Sequence, residues 1–345
     1  MIETRRGDTP EQADSPKVAL DTNESPLGTP RLGLEKAMAS MNDLHRYPRG
    51  ALDEVIGLVA ETWQVDRHCV VVTNGLDESI DLLISLVDRT WCLSPGFEPY
   101  WTRPEAAGKL VTRIPLDDAG QPRVPASKIG PEGVAFIIRP NNPTGSVVDE
   151  AWIWELLDCV ELVCVDETYI GFSAHSAFTE KIGQQPNLCV FRSLSKEFGL
   201  AGVRVGVILA PPLLAARLRE RQRFYGADTI SLAVSAAAMR DDEYRRAHRD
   251  YIIQGRADLV SLLAGDPRFI EVRDTEASFV VARCPDPGSA IAVESELAAH
   301  GVLVRECSLF GWPSWLRISV GTPDEHARLR DVLAAGHAEK ANEEK

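Results

Sequence analysis

Short runs rich in valine, leucine and isoleucine recur along the chain at 68–73, 91–93, 110–114, 134–138, 162–165, 188–194 and 203–209. Stretches with helical spacing precede or separate many of them, at 52–63, 77–87, 98–107, 149–159 and 211–224. A run that is apolar at successive rather than alternate positions predicts a strand covered on both faces. Such strands alternating with helices predict an α/β layer built on a mostly parallel sheet. Residues 231–263 read as mostly helical and long enough to link two bodies. Beyond them come strands at 269–272 and 278–282, a helix at 290–300, strands near 302–304 and 316–320, and a last helix from Asp324. That tail predicts a smaller α+β domain. Residues 1–17 read as an arm, and 20–30 as extended, because Pro26, Gly28 and Pro30 exclude a helix.

Composition narrows the class. A chain of 345 residues with 44% hydrophobic and 26% charged positions has the make-up of a globular protein with ample core. A formal charge of −14 argues against nucleic acid or an anionic membrane as partner, so an anionic ligand must be held by local arginines and helix ends. No run approaches the roughly 20 apolar residues of a membrane span. The polar N-terminus lacks the apolar stretch of a signal peptide. Seven cysteines without a C-x-x-C pair predict reduced thiols and a cytoplasmic protein. Seven scattered histidines offer no metal-ligand spacing, so no metal is expected.

Candidate chemistry gathers at the ends of the apolar runs, where ligands bind in open α/β sheets. Ser193 and Ser195 stand beside Lys196, and Arg204 follows among valines and glycines. Desolvation lowers a lysine's pKa toward the range where it is a nucleophile, while hydroxyls and a guanidinium suit a phosphate. A surface lysine and a structural ion pair remain the plain alternatives. Asp166 and Tyr169 end the run 162–165; a carboxylate at a buried strand end needs a partner, such as a protonated ring nitrogen, or else it caps a helix. Asn142 lies in Pro140-Asn141-Asn142-Pro143-Thr144-Gly145, which reads as a plain turn or as a rigid loop aiming an amide at a ring oxygen. Leu76 and Asp77 open a helix after Asn74-Gly75, a setting for an ordinary turn or for phosphate-binding amides. Phe97, after Ser94-Pro95-Gly96, could stack on a flat ring or simply fill core. Arg305 and Arg317 punctuate apolar strands and suit either an anionic ligand or an internal salt bridge.

Together these residues resemble the fold-type I pyridoxal-phosphate enzymes, the class I and II aminotransferases, and most closely the histidinol-phosphate aminotransferase group. The likeness runs from Leu20-Asp21-Thr22-Asn23-Glu24-Ser25-Pro26 to Leu316-Arg317-Ile318-Ser319-Val320-Gly321-Thr322. It implies a large domain with a mostly parallel seven-stranded sheet flanked by helices, at 36–247. A smaller α+β domain would occupy 248–345, and an N-terminal segment, 1–35, would contribute to it. The resemblance implies that Lys196 binds pyridoxal 5′-phosphate as a Schiff base and later moves the substrate proton. By the same resemblance Asp166 holds the ring nitrogen, Asn142 and Tyr169 contact the ring oxygen, and Phe97 stacks on the ring. Ser193, Ser195, Arg204 and the amides of Leu76 and Asp77 would take the phosphate. Tyr47 is implied to reach the phosphate of a neighbouring subunit in a homodimer. Arg317 would bind the substrate carboxylate or its equivalent, Arg305 a substrate phosphate, and Asn23 would lie among the substrate residues.

Three departures bear on substrate. Glu197 replaces a small residue, Arg139 brings charge before the Pro-Asn-Asn-Pro run, and 224–229 differs from the group's pattern. Asp228 there would favour a cationic substrate side chain, or it caps the helix that follows. The expected activity is amino transfer on an amino acid or derived amine. A decarboxylase, cyclase or oxidase on the same fold is the alternative, and a silent binding domain is disfavoured by the intact Lys196, Asp166 and Arg204. Arg305 and Arg317 together suggest a substrate with two anionic ends.

Overall fold

A computed structural model describes residues 18–343; the expected arm at 1–17 lies outside the described residues. The chain forms β1 (Val18–Ala19), α1 (Arg31–Ser40), α2 (Ala51–Trp63), β2 (Val70–Thr73), α3 (Gly75–Ile84), β3 (Arg89–Ser94), α4 (Pro99–Ala106), β4 (Leu110–Pro115), β5 (Val134–Ile138), α5 (Glu150–Leu157), β6 (Leu162–Asp166), β7 (Leu188–Ser193) and β8 (Gly206–Leu209). There follow α6 (Pro212–Arg219), α7 (Thr229–Met239), α8 (Asp242–Ala264), β9 (Glu271–Arg273), β10 (Phe279–Arg283), α9 (Pro287–Ala299), β11 (Val302–Leu303), β12 (Arg305–Glu306), β13 (Trp315–Ser319) and α10 (Pro323–Glu343).

The main sheet has seven strands in the order β2-β8-β7-β6-β5-β3-β4. All its pairings are parallel except those of β8, which is antiparallel to both neighbours. Successive residues feed two separate cores. Ala135 and Ile137 face one, with Val163, Val165 and Val190, whereas Val134, Phe136 and Ile138 face the other, with Cys164, Cys189 and Phe191. Burial on both faces is why these strands read as unbroken apolar runs.

A second sheet, antiparallel, has the order β12-β13-β10-β9, and β1 pairs with β11. Leu20 ties these two together: its amide donates to Leu303 O and its carbonyl accepts from Ser319 N, each at 2.8 Å. Leu20, Val280, Leu297, Val302, Leu316 and Ile318 form a third core. The chain just after β1 is thereby held beside β13.

One helix was not legible in the sequence, and one expected helical stretch divides. The helix α1 was not legible, because its buried face is Gly33 and Ser40, while Leu34 and Met38 point outward. The stretch 231–263 is two helices, broken at Arg240-Asp241, where Asp241 caps α8 by accepting from Tyr244 N. The expected boundary at 247/248 falls inside α8.

Candidate active site

The carboxyl ends of β3, β5, β6 and β7 lie along one edge of the main sheet. Because β8 runs backwards, its first residue joins them: Gly206 is in register with Thr73 of β2 on one side and Ser193 of β7 on the other. The valine-rich run predicts a strand through Arg204, yet the strand starts at Gly206. Arg204 instead adopts the left-handed conformation (φ 59°) after a single 3-10 turn at Ala201–Val203. The reversal lays its guanidinium over Gly75. Gly75 has φ +69°, a backbone that favours glycine, and a Cβ there would stand 2.6 Å from Arg204 Nη2 and push the guanidinium aside. Arg204 also pairs with Asp77 at 3.2 Å. The Asn74 side chain does not cap α3, and Glu78 accepts from the Asn74 amide at 2.6 Å, so the amides of Leu76 and Asp77 stay available beside Arg204. Ser193 Oγ accepts from Ser195 N at 3.2 Å, and both serines are buried.

Lys196 follows directly. Its Nζ donates to the carbonyl of Thr22 at 2.6 Å. Burial, and next the Arg317 guanidinium, lower its pKa to about 7; Arg204 acts the same way, and Glu24 and Asp21 oppose. Asp166, at the end of β6, is buried, and burial pushes its carboxyl up against the pull of its hydrogen bonds. Oδ1 accepts from Thr168 N (2.9 Å) and Oγ1 (2.6 Å), and Oδ2 accepts from Tyr100 Oη (2.7 Å). Among the described residues no basic side chain lies within ion-pair distance of it.

Tyr100 and Thr168 were missed by sequence reasoning, although signals existed. Tyr100 stands three residues after Phe97, on the same face of a helical turn, and the two rings meet edge-on at 6.1 Å. Thr168 is two residues after an aspartate, the spacing of a local side-chain turn. Phe97 itself is half-buried between two cores.

Arg317 closes the other side. It is buried, with Cζ 5.6 Å from the Phe279 ring and 5.4 Å from the Phe310 ring. Nη1 donates to Asn142 Oδ1 at 2.6 Å, Nη2 donates to the carbonyl of Asp21, and Nε has no partner. Among the described residues no carboxylate pairs with it. A buried guanidinium without an anion is costly unless a ligand supplies one. Asn23 donates to Tyr169 Oη at 2.8 Å and accepts from Ser319 Oγ at 2.9 Å. The segment Asp21–Asn23 thus touches Arg317, Lys196 and Tyr169 in turn, which its sequence did not announce because two of the contacts use main-chain carbonyls.

The remaining expected residues are engaged in other contacts. Arg305 is held by Asp21 at 3.1 Å. Both oxygens of Asp228 bond Ser231, through N (2.9 Å) and Oγ (2.6 Å), so the residue caps α7. Tyr47 is exposed, stacks on Tyr225 at 4.2 Å, and shares a depression with Asn74 and Asp228. Arg139 spends its guanidinium on the carbonyls of Val148 (3.1 Å) and Ser176 (2.8 Å), not on the cleft. Glu197 pairs with buried Arg192 at 2.8 Å, which also reaches Glu167 at 3.4 Å.

The cleft fits pyridoxal phosphate on three counts. A lysine has its amine pKa depressed, a buried carboxylate lacks a cation, and a glycine-floored cup combines a guanidinium with uncapped helix amides. The family model for aminotransferases of class I and II matches residues 15–333. The chain is 32% identical to a histidinol-phosphate aminotransferase of Symbiobacterium thermophilum over 93% of this chain and 91% of that one. It is 31% identical to histidinol-phosphate aminotransferase 2 of Pseudomonas fluorescens, over 92% and 90%. In fold it is similar to the histidinol-phosphate aminotransferase of Sinorhizobium meliloti solved with pyridoxal-5′-phosphate. That likeness has a TM-score of 0.80 at 20% identity and covers 92% of this chain and 90% of that one.

Proposed function

The chain belongs to the class I and II aminotransferases of the histidinol-phosphate type and uses pyridoxal 5′-phosphate, and from that premise we propose how its residues divide the reaction and what end of the substrate they hold. When bound, the cofactor supplies an electron-withdrawing ring that accepts negative charge from the carbon beside the substrate nitrogen. Lys196 is the attachment point and, once free, the base that takes the proton from that carbon and returns it. Asp166, ionised, holds the ring N–H, with Tyr100 and Thr168 fixing the carboxylate's orientation. Ser193, Ser195, Arg204 and the amides of Leu76 and Asp77 hold the phosphate. Tyr169 and the free amide hydrogens of Asn142 face the ring oxygen, and Phe97 covers one face of the ring.

Arg317 anchors the anionic end of the substrate, near Asn23. The observation that carries this reading is the pairing of an amine with its pKa near 7 and a buried guanidinium lacking an anion. The substrate is an amino acid or a derived amine with an anionic end; the names of the relatives put histidinol phosphate among the candidates. Those names do not favour the decarboxylase, cyclase or oxidase alternative.

The test adds candidate donors to the holoenzyme and follows loss of the visible band together with products by mass spectrometry. A keto product is expected. Because the lysine's pKa is lowered to about 7, about half of it is free base at that pH and the fraction falls about tenfold per unit below it. Proton abstraction should therefore slow about tenfold per pH unit below 7 and level off above it. Carbon dioxide or peroxide as product, or a flat profile through 7, would refute the assignment.

Our reading also includes a homodimer and the 36–247 and 248–345 division. Supporting the dimer, Met38, Met41, Leu44, Tyr47, Phe224 and Tyr225 are all more than half exposed, which is a liability on a lone chain. Tyr47 lies next to Asn74 at the rim of the phosphate cup, where a neighbour's cup would meet it. Sedimentation equilibrium at micromolar concentration should give twice the chain mass, and Leu44→Glu should shift it toward the monomer; a wild-type monomer would sink the dimer. The cytoplasm suits seven free thiols. No helix among the described residues is long and apolar enough to cross a membrane.

A further inference from the structure

Three residues assigned to the cofactor, Asp166, Ser193 and Lys196, each have a charged neighbour in the chain. Glu167 follows Asp166, Arg192 precedes Ser193, and Glu197 follows Lys196. Side chains alternate along a strand, so Arg192 shares the face of Val190 and is turned away from that of Ser193. The three neighbours meet behind the cleft. Arg192 Nη2 donates to Glu197 Oε2 at 2.8 Å, and Nη1 donates to Glu167 Oε2 at 3.4 Å. The Trp63 ring lies 4.7 Å from the Arg192 Cζ. Arg192 and Glu167 are buried, and the Glu197 side chain is only 14% exposed.

Glu167 is fixed independently, because it accepts from the amides of Phe178 and Thr179 and from Thr179 Oγ1 at 2.7 Å. It therefore anchors Arg192, and Arg192 in turn holds Glu197. The Glu197 carbonyl accepts from His248 Nδ1 at 3.1 Å, and the Lys196 carbonyl accepts from Gly199 N at 3.1 Å, so the backbone at the lysine is held as well. Gly171 leaves room for the carboxylate: a Cβ there would stand 2.5 Å from Glu197 Cδ. A small residue at 197 would cut the tie between the lysine's neighbour and the ends of β6 and β7.

We propose that Glu197 is a positioning residue: through Arg192 and Glu167 it fixes Lys196 relative to Asp166 and Ser193, so that the amine, the ring-nitrogen acid and part of the phosphate cup keep one geometry. The inference rests on the reading of Lys196 as the attachment point. A reacting group misplaced by about 1 Å loses about 10²-fold in rate, so a slackened tie is read in how fast the amine bonds the cofactor. Loss of Glu197 leaves Arg192 facing Glu167 and Trp63, which still compensate its charge, so the fold should survive.

The test mixes cofactor-free protein with saturating pyridoxal 5′-phosphate and follows first-order growth of the visible band, well below the melting point of every variant. Glu197→Ala should slow that step about fivefold or more. Glu197→Gln, whose amide oxygen can still accept from Arg192, should stay within about threefold of wild type. Leu297→Ala, in the third core, controls for stability alone and should stay within about twofold. If the alanine variant does not fold, Gly171→Ala crowds the same carboxylate off Arg192 and should slow the step about fivefold in its place. A smaller loss, or a glutamine or Leu297 variant outside its stated range, overturns the role of Glu197. Borohydride reduction of the wild-type holoenzyme, followed by peptide mass mapping, separates the premise: cofactor fixed to a lysine other than Lys196 refutes the attachment reading, whatever the variants do.

Discussion

Replacing Lys196 by alanine should abolish amino transfer, lowering the rate by about 10⁴-fold or more, and should remove the visible absorbance of the lysine-bound cofactor. The effect is large because, on the proposed reading, one amine serves as attachment point and as base, and the structure gives it two conditions for both. Burial and Arg317 hold its pKa at about 7 rather than 10.5, so a substantial fraction is free base at neutral pH. The Thr22 carbonyl, accepting at 2.6 Å, directs its nitrogen. Absorbance spectra and single-turnover assays on purified protein check the expectation; a variant retaining colour and turnover would refute it.

Misfolding is separable from lost chemistry by the sign of the pH effect on the cofactor-free protein. The folded-state pKa is depressed, so the unfolded chain binds more protons between about 7 and 10.5. The stability linked to this group is present above 10.5 and is lost as pH falls through the folded value. Removing the amine relieves that loss. At pH 6 the alanine variant should therefore melt no lower than wild type, and any advantage should fade toward pH 10.5.

The second large effect is expected at Asp166. Asparagine there keeps the shape and an oxygen for Thr168 or Tyr100 but carries no charge. Its amide hydrogens would face a ring N–H that needs an acceptor. Turnover should fall about 10²–10³-fold, the scale for losing one buried, directed charge interaction, and cofactor release on dilution should quicken. Rapid-mixing measurement of the donor half-reaction, with thermal melts as the control, tests this. A variant within threefold of wild type would mean that the carboxylate's company of Tyr100 and Thr168 is structural only.

Much of the main sheet was legible because its strands are covered on both faces, leaving contiguous apolar runs, and because glycine or proline follows β2, β3, β5 and β8. Asp166, Ser193, Lys196 and Asn142 were legible as polar residues just after apolar runs. What escaped had no periodic signature. The helix α1 buries glycine and serine and exposes leucine and methionine, the reverse of an amphipathic pattern in a lone chain. Arg204 looks like a strand residue because valines surround it, while its left-handed backbone depends on tertiary fit over Gly75. Tyr100 reads as core packing, and it is that, except for a hydroxyl that reaches Asp166. Arg305 and Arg317 look alike in sequence, and only the fold sends Asp21 to one of them.

The backward run of β8 has a consequence for how the cofactor site assembles. Since β7 and β8 are antiparallel neighbours, residues 194–205 are simply the loop of a hairpin, with Leu194 N bonded to Val205 O at its base. Lys196 and Arg204 are therefore brought together by short-range chain closure, whose entropy cost is small. Asp166, Arg317 and the 21–23 segment reach the same cleft only through distant parts of the chain. The pairing of Lys196 with Arg204 is in this sense a local property of one hairpin, whereas the remaining proposed cofactor contacts and the choice of substrate are properties of the finished tertiary structure.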